Sequence, residues 1–208
     1  MTREERREHL LESAAALVAE RGFDAISMEG VAARAEVSKA LPYSHFENAE
    51  ALLAALRDRE LATLARRTRD AAAAASGFEA KVEAIVHEFF ETVKDRGQVM
   101  TTILRWLPYF EARVMDQPPP PASADDWYFA ELLEQELGLS TPAARVAQRM
   151  VAMGLLGAFD AWTEGEASQA TAERVAVRMV IEGASAVGVD KVLVGARRPA
   201  HRGGHARR

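Results

Sequence analysis

The sequence predicts an all-α fold. Three observations carry that expectation. Alanine, leucine, arginine and glutamate dominate the composition, and all are good helix formers. Apolar residues recur three and four apart, while the strict alternation of a half-buried strand is absent. Only eight prolines occur, and four of them stand together at Pro118–Pro121, so the rest of the chain is free to be helical.

Each helix has its own start and stop signals. Thr2-Arg3-Glu4-Glu5 is a capping box, with a hydroxyl at the N-cap and a carboxylate three residues on. Leu10, Ala14, Leu17 and Val18 follow on one helical face, and Gly22 ends the helix. Ser27 caps a short second helix that turns Met28, Val31, Ala32 and Ala35 inward. A break at Glu36-Val37 leads to Ser38, which starts a very short third helix ending near His45-Phe46. Asn48 caps a long fourth helix carrying Leu52, Leu53, Leu56, Leu61 and Leu64 into the run Ala71–Ala75. Phe78 to about Gly97 reads as a fifth helix, and Val99 to Met115 as another interrupted by Pro108. The prolines form a stiff loop. Asp125-Asp126 opens a helix closed by Gly138. Thr141-Pro142 reads as N-cap and first residue of a helix to about Trp162, and Thr171 as the cap of a last helix to about Val187.

Composition narrows the function. The chain has 208 residues, 49% of them hydrophobic, which is enough for a sizeable core. It has no cysteine, which removes disulfides, thiolate metal sites and thiol catalysis. No apolar run approaches the roughly 18 residues of a membrane span. The mixed-charge start has no secretory apolar stretch behind it, so a cytoplasmic protein is expected. A net charge of −5 argues against a globally basic nucleic-acid binder but leaves room for a local one. Glu83 and His87 are four apart, whereas a carboxylate-bridged di-iron site needs Glu-x-x-His, a pattern found nowhere in the chain. They read as a solvated i, i+4 pair. No phosphate-cradling glycine loop and no nucleophile elbow occurs, so neither catalysis, a cofactor nor a metal is expected.

The two short helices between Ser27 and Phe46, separated by a tight turn, have the outline of a helix-turn-helix. The segment Val37-Ser38-Lys39-Ala40-Leu41-Pro42-Tyr43-Ser44-His45-Phe46-Glu47-Asn48-Ala49-Glu50-Ala51-Leu52-Leu53 resembles the recognition-helix region of TetR-family transcriptional repressors. Ala14–Phe23 and Met28–Ala35 resemble that family's first two helices. The resemblance spans roughly the first 56 residues; beyond it only helical layout and length agree. Three positions depart from the family pattern. Glu36 stands where a turn glycine is usual, Ala40-Leu41-Pro42 replaces a common Gly-Thr-Leu run, and Ala49 replaces a frequent lysine.

The resemblance implies a helix-turn-helix DNA-binding domain over residues 1–48, and a helical effector-binding and dimerisation domain over 49–190. Residues 195–208 read as a basic disordered tail, because they lack apolar periodicity. Ser27, Ser38 and Asn48 are short polar donors at helix starts, suited both to capping and to phosphate. Lys39 lies on the first turn of the recognition helix, within reach of a guanine edge or a phosphate. Ala40 shares that turn. Leu41 either meets a thymine methyl or packs against the second helix. For Tyr43 and His45 the resemblance implies phosphate contact, and Phe46 reads as core. Residues 1–69 carry eleven basic and twelve acidic side chains, so DNA binding must use a local basic face: Arg3, Arg6, Arg7, Arg34 and Lys39.

Aromatics and methionines with few charges suit an apolar or planar ligand, and the resemblance implies a cavity for one. Met100, Trp106, Tyr109, Phe110, Trp127 and Met153 are the candidate walls. Small residues at helical spacing, Gly154, Gly157, Ala158 and Ala161 with Gly183 and Ala184, point to close helix approach across a two-fold axis. The expected partners are thus a palindromic double-stranded DNA operator, a small-molecule effector that releases it, and a second copy of the chain, with no membrane. The rival reading is a helical small-molecule binding protein that has lost DNA binding.

Overall fold

A computed structural model describes residues 1–104 and 128–194. Those residues are helical, without strands. Helix α1 spans Arg3–Arg21 and begins at the expected capping box, with Glu5 N–H donating to Thr2 Oγ1 (3.1 Å) and Thr2 N–H to Glu5 Oε2 (2.7 Å). Gly22 ends it at φ 77°. A 3₁₀ turn over Phe23–Ala25 leads to α2, Met28–Arg34, capped by the Ser27 hydroxyl. Helix α3 is Ala40–His45. Helix α4 is Ala49–Ala73, capped by Asn48, whose Oδ1 accepts from Ala51 N–H at 2.8 Å. Helix α5, Phe78–Arg96, lies between Gly77 and Gly97. Residues 98–104 form α6. Helices α7 (Tyr128–Leu137), α8 (Thr141–Thr163) and α9 (Gln169–Val194) complete the description.

Three boundaries differ from the sequence reading, each for a local reason. Ser140, not Thr141, is the extended residue before α8, and Ala144 N–H donates to its carbonyl at 2.9 Å. The missing N–H of Pro142 falls in the first turn, where it costs nothing. Helix α9 starts at Gln169 rather than after Thr171, because the Ser168 hydroxyl accepts from Thr171 N–H at 3.2 Å and takes the capping role. The same helix runs on to Val194 past Gly183 and Gly188, since each interior glycine costs only about 1 kcal/mol. The expected disordered tail at 195–208, the helix start at Asp125 and the course after residue 104 lie outside the described residues.

Two cores organise the molecule. The first gathers Leu10, Leu11, Ala14 and Val18 of α1, Val31 of α2 and Phe46 after α3. It does not stop at residue 48, the expected domain boundary. Leu52 and Leu56 of α4 and Val99 and Ile103 of α6 belong to it, and all four are at most 4% exposed. The second core takes Val82, Val86, Phe89 and Phe90 of α5, Leu155 and Phe159 of α8, and Ala172, Ala176 and Val180 of α9. Met100 and Leu104, the other stripe of α6, belong to this second core. Helix α6 is therefore embedded in both.

One acid is buried inside. Glu60 of α4 is 1% exposed. It accepts from Arg96 Nε (2.7 Å) and Nη2 (2.6 Å) on α5, and from its neighbour Arg59. Arg59 in turn bonds Glu8 (2.6 Å) and pairs with Glu12 (3.1 Å) on α1. Burial raises the Glu60 pKa, but the hydrogen bonds from Arg96 and Arg59 outweigh it and hold the carboxyl below its ordinary range.

Candidate functional site

Helices α2 and α3 form the expected helix-turn-helix. Its turn is a Schellman termination: Val37 N–H donates to Ala32 C=O at 3.0 Å and Glu36 N–H to Ala33 C=O at 3.3 Å. Glu36 occupies the left-handed position at φ 55°, the only non-glycine residue with positive φ among those described. The turn thus keeps its geometry without the usual glycine.

The outer surface of this unit carries most of the expected residues. Ser27, Ser38, Lys39, Ala40, Tyr43 and Asn48 are exposed or half-buried there, as is His45. The Ser27 and Asn48 side chains are engaged as helix caps. Ser38 does not cap α3 with its hydroxyl. Lys39 precedes the helix in helical conformation, and Ser38 contributes its carbonyl to Leu41 N–H at 3.0 Å. Leu41 is half-buried against the first core, which favours packing over thymine contact. Pro42 and Phe46 are buried and anchor α3 from beneath. The Arg7 guanidinium sits 5.3 Å over the Phe46 ring.

The expected basic face is smaller than its count. Arg34 pairs with Glu20 at 2.7 Å. Arg7 is engaged over Phe46. Arg3, Arg6 and Lys39 are exposed and make no ion pair among the described residues. The partner of Tyr43 was not foreseen from sequence. Its hydroxyl donates to Glu29 Oε1 of α2 at 3.3 Å. Partial desolvation, then the Glu29 charge and hydrogen bond, raise the phenol pKa, so the group stays an O–H donor at neutral pH. The two side chains lie fourteen residues apart on different helices, and no sequence period links them.

In the second half of the chain, Met100 is fully buried in the second core. Met153 is 60% exposed on the outer face of α8, away from the second core that holds Met100. The helical phase explains this: Leu155 and Phe159 face inward, and Met153 lies nearly opposite Leu155. Trp106, Tyr109, Phe110 and Trp127 lie outside the described residues. At Gly154, Gly157 and Gly183 an added Cβ would meet nothing within 4 Å among the described residues. Close approach among those residues therefore does not explain these glycines. Ala184, by contrast, is buried against α7 and α8 of its own chain, and Ala158 leans on the second core, so both leave the expected interface at least in part. Ala161 is half-buried. The same outer face carries Val146 (60% exposed), Met150 (71%), Val175 (49%) and Met179 (65%). Met150-Gly154-Gly157-Ala161 and Val175-Met179-Gly183 run at three- and four-residue spacing, a signal the sequence offered.

The helix-turn-helix, capped and seated on the first core, can be set beside known families. Residues 10–56 match the bacterial regulatory proteins of the tetR family. That N-terminal region is the one this chain shares with the TetR family. The relatives that the chain matches are transcriptional regulators. It is 29% identical over 156 residues to the HTH-type transcriptional activator FasR of Mycolicibacterium smegmatis, covering 75% of this chain and 69% of that protein. Solved structures share the fold. A TetR-like transcriptional regulator from Rhodococcus sp. RHA1 superposes with a TM-score of 0.63 at 19% identity, over 89% of this chain and 98% of that one. The regulator FadR from Bacillus subtilis, in complex with stearoyl-CoA, gives 0.66 at 14% identity, over 85% and 98%. No described helix is long and apolar enough to cross a membrane.

Proposed function

We propose that this protein binds a palindromic DNA operator as a homodimer and releases it when a small apolar effector binds. The exposed surface of α3, set on a buried Pro42 and Phe46, is the observation that carries the DNA half of this reading. Lys39 reads a base edge or a phosphate there, and Tyr43, His45 and the N-terminal end of α4 at Asn48 meet the backbone. The apolar outer face of α8 and α9, with its open glycines, supports pairing with a second copy. Two heads then address half-sites about one helical turn apart, roughly 34–36 Å.

The FadR structure holds stearoyl-CoA. We take a long-chain acyl thioester as the effector class, consistent with the aromatic- and methionine-rich sequence of the second half. Ligand-driven release makes the protein a repressor; the related FasR is named an activator.

Selection of bound duplexes from a random library tests the DNA reading. A palindromic site bound by two subunits is expected, and stearoyl-CoA titrated onto that complex should dissociate it. A protein that selects no duplex is instead a ligand binder without DNA function. Stearoyl-CoA that leaves the complex intact rejects the effector class alone.

A further inference from the structure

We propose that Glu29 limits how tightly this protein holds DNA, by competing with a backbone phosphate for the Tyr43 hydroxyl. The inference rests on the DNA reading above and deepens it. Tyr43 is 52% exposed, so burial of its ring does not account for its position. Its O–H donates to Glu29 Oε1 at 3.3 Å. Glu29 is itself exposed, and this is its one side-chain hydrogen bond or ion pair among the described residues. No arginine or lysine neutralises it there.

A carboxylate and a phosphodiester are the same kind of partner for a phenol: each offers an anionic oxygen acceptor. One O–H donates to one of them at a time. A phosphate approaching Tyr43 must therefore displace the Glu29 carboxylate, and it meets that carboxylate's charge at short range while doing so. Both effects weaken binding. Neither depends on base sequence, because a phosphate contact positions the protein without reading bases. Glu29 thus lowers affinity for every duplex alike and leaves operator preference to the other residues of α3.

Glu29→Gln tests this, since the amide keeps the size and an acceptor oxygen but removes the charge. Tyr43→Phe and the double variant complete a cycle. Binding is measured on the selected operator and on an unrelated duplex of equal length, over a range of salt. Glu29→Gln should tighten both by about five- to tenfold and steepen the fall of log K with log salt, because one opposing charge is gone. Tyr43→Phe should cost less in the wild type, where reaching phosphate means giving up the bond to Glu29. It should cost several-fold more in the Glu29→Gln background, where a neutral amide oxygen competes less well with phosphate for the hydroxyl. Circular dichroism and the unfolding midpoint confirm that the variants fold, as two exposed side chains lead one to expect; Glu29→Ala repeats the test with the acceptor removed as well. If Glu29→Gln gains nothing on either duplex, the proposal fails while the DNA reading stands. If the gain is equally large in the Tyr43→Phe background, charge alone acts and the competition for the hydroxyl is wrong. A wild type that binds no duplex overturns the DNA reading and this proposal together.

Discussion

Glu36 holds a left-handed backbone with a β-carbon attached, at φ 55°. For an L-residue that conformation costs about 1–2 kcal/mol, and glycine adopts it freely. The replacement should therefore relieve strain while adding some chain entropy to the unfolded state. Glu36→Gly is expected to stabilise the protein by about 0.5–1 kcal/mol, raising the thermal midpoint by a few degrees. Calorimetry decides it; a lowered midpoint would show that the Glu36 side chain holds the turn by a contact of its own. A few residues along, Lys39 is exposed and unpaired at the start of α3. Lys39→Ala should cost about 1–3 kcal/mol on the operator and relax preference at one base position. Uniform loss over all sequences would make Lys39 a phosphate contact instead. These positions are legible in the sequence because turn and cap chemistry is local. Glu36 stands out as an acid at a glycine position, and Ser27 and Asn48 cap where their sequence context puts them. The Glu29–Tyr43 bond is not legible, because it joins two helices whose relative placement only packing decides.

Between helices, the cluster around Glu60 ties α4 to α5 through Arg96, and α4 to α1 through Arg59 with Glu8 and Glu12. Truncating the buried acid removes the carboxylate shared by two guanidinium groups and leaves them only the exposed Glu8 and Glu12. Glu60→Ala should cost about 3–5 kcal/mol in urea unfolding, far more than Glu8→Ala at the exposed rim. The pH dependence follows from the direction of the shift. The folded carboxyl titrates below its ordinary value of 4.5, so its stabilisation is fully present above that value. It is lost as pH falls through the lower, folded-state value. Glu60→Gln should flatten that part of the acid-stability curve; an unchanged acid limb would show that other carboxylates set it. In the sequence Glu60 is one more charge on an arginine- and glutamate-rich helix. Helical spacing places the leucines of α4 but says nothing of where Arg96, thirty-six residues on, comes to lie. For the same reason Met153 reads as a pocket wall: its apolar character is plain, and its phase against Leu155 and Phe159 needs the partners of α8 to be known.

For the whole molecule, the outer face of α8 and α9 carries the strongest claim. Because a Cβ at Gly157 meets nothing within 4 Å among the described residues, the isolated subunit is expected to accommodate Gly157→Glu. A paired subunit would bury an uncompensated carboxylate. Sedimentation should show the wild type as a dimer at micromolar concentration, and the variant at half that mass with its helical content kept. Equal masses would mean that the two copies meet elsewhere, or not at all. The small-residue spacing makes this face legible, although Ala184 lies inside the subunit.

Helix α6 has a mechanical consequence. Its seven described residues extend about 10 Å. Val99 and Ile103 are seated in one core, and Met100 and Leu104, one residue further round, in the other. Sliding the helix by a single residue would turn it by about 100° and present each core with the wrong stripe. Close-packed interiors do not yield by small degrees. They hold one seating or exchange it for another. A helix keyed on two sides in this way behaves as a detent and not as a dial. A displacement of this helix loads both cores at once. Movement passed through it is therefore expected in discrete stops.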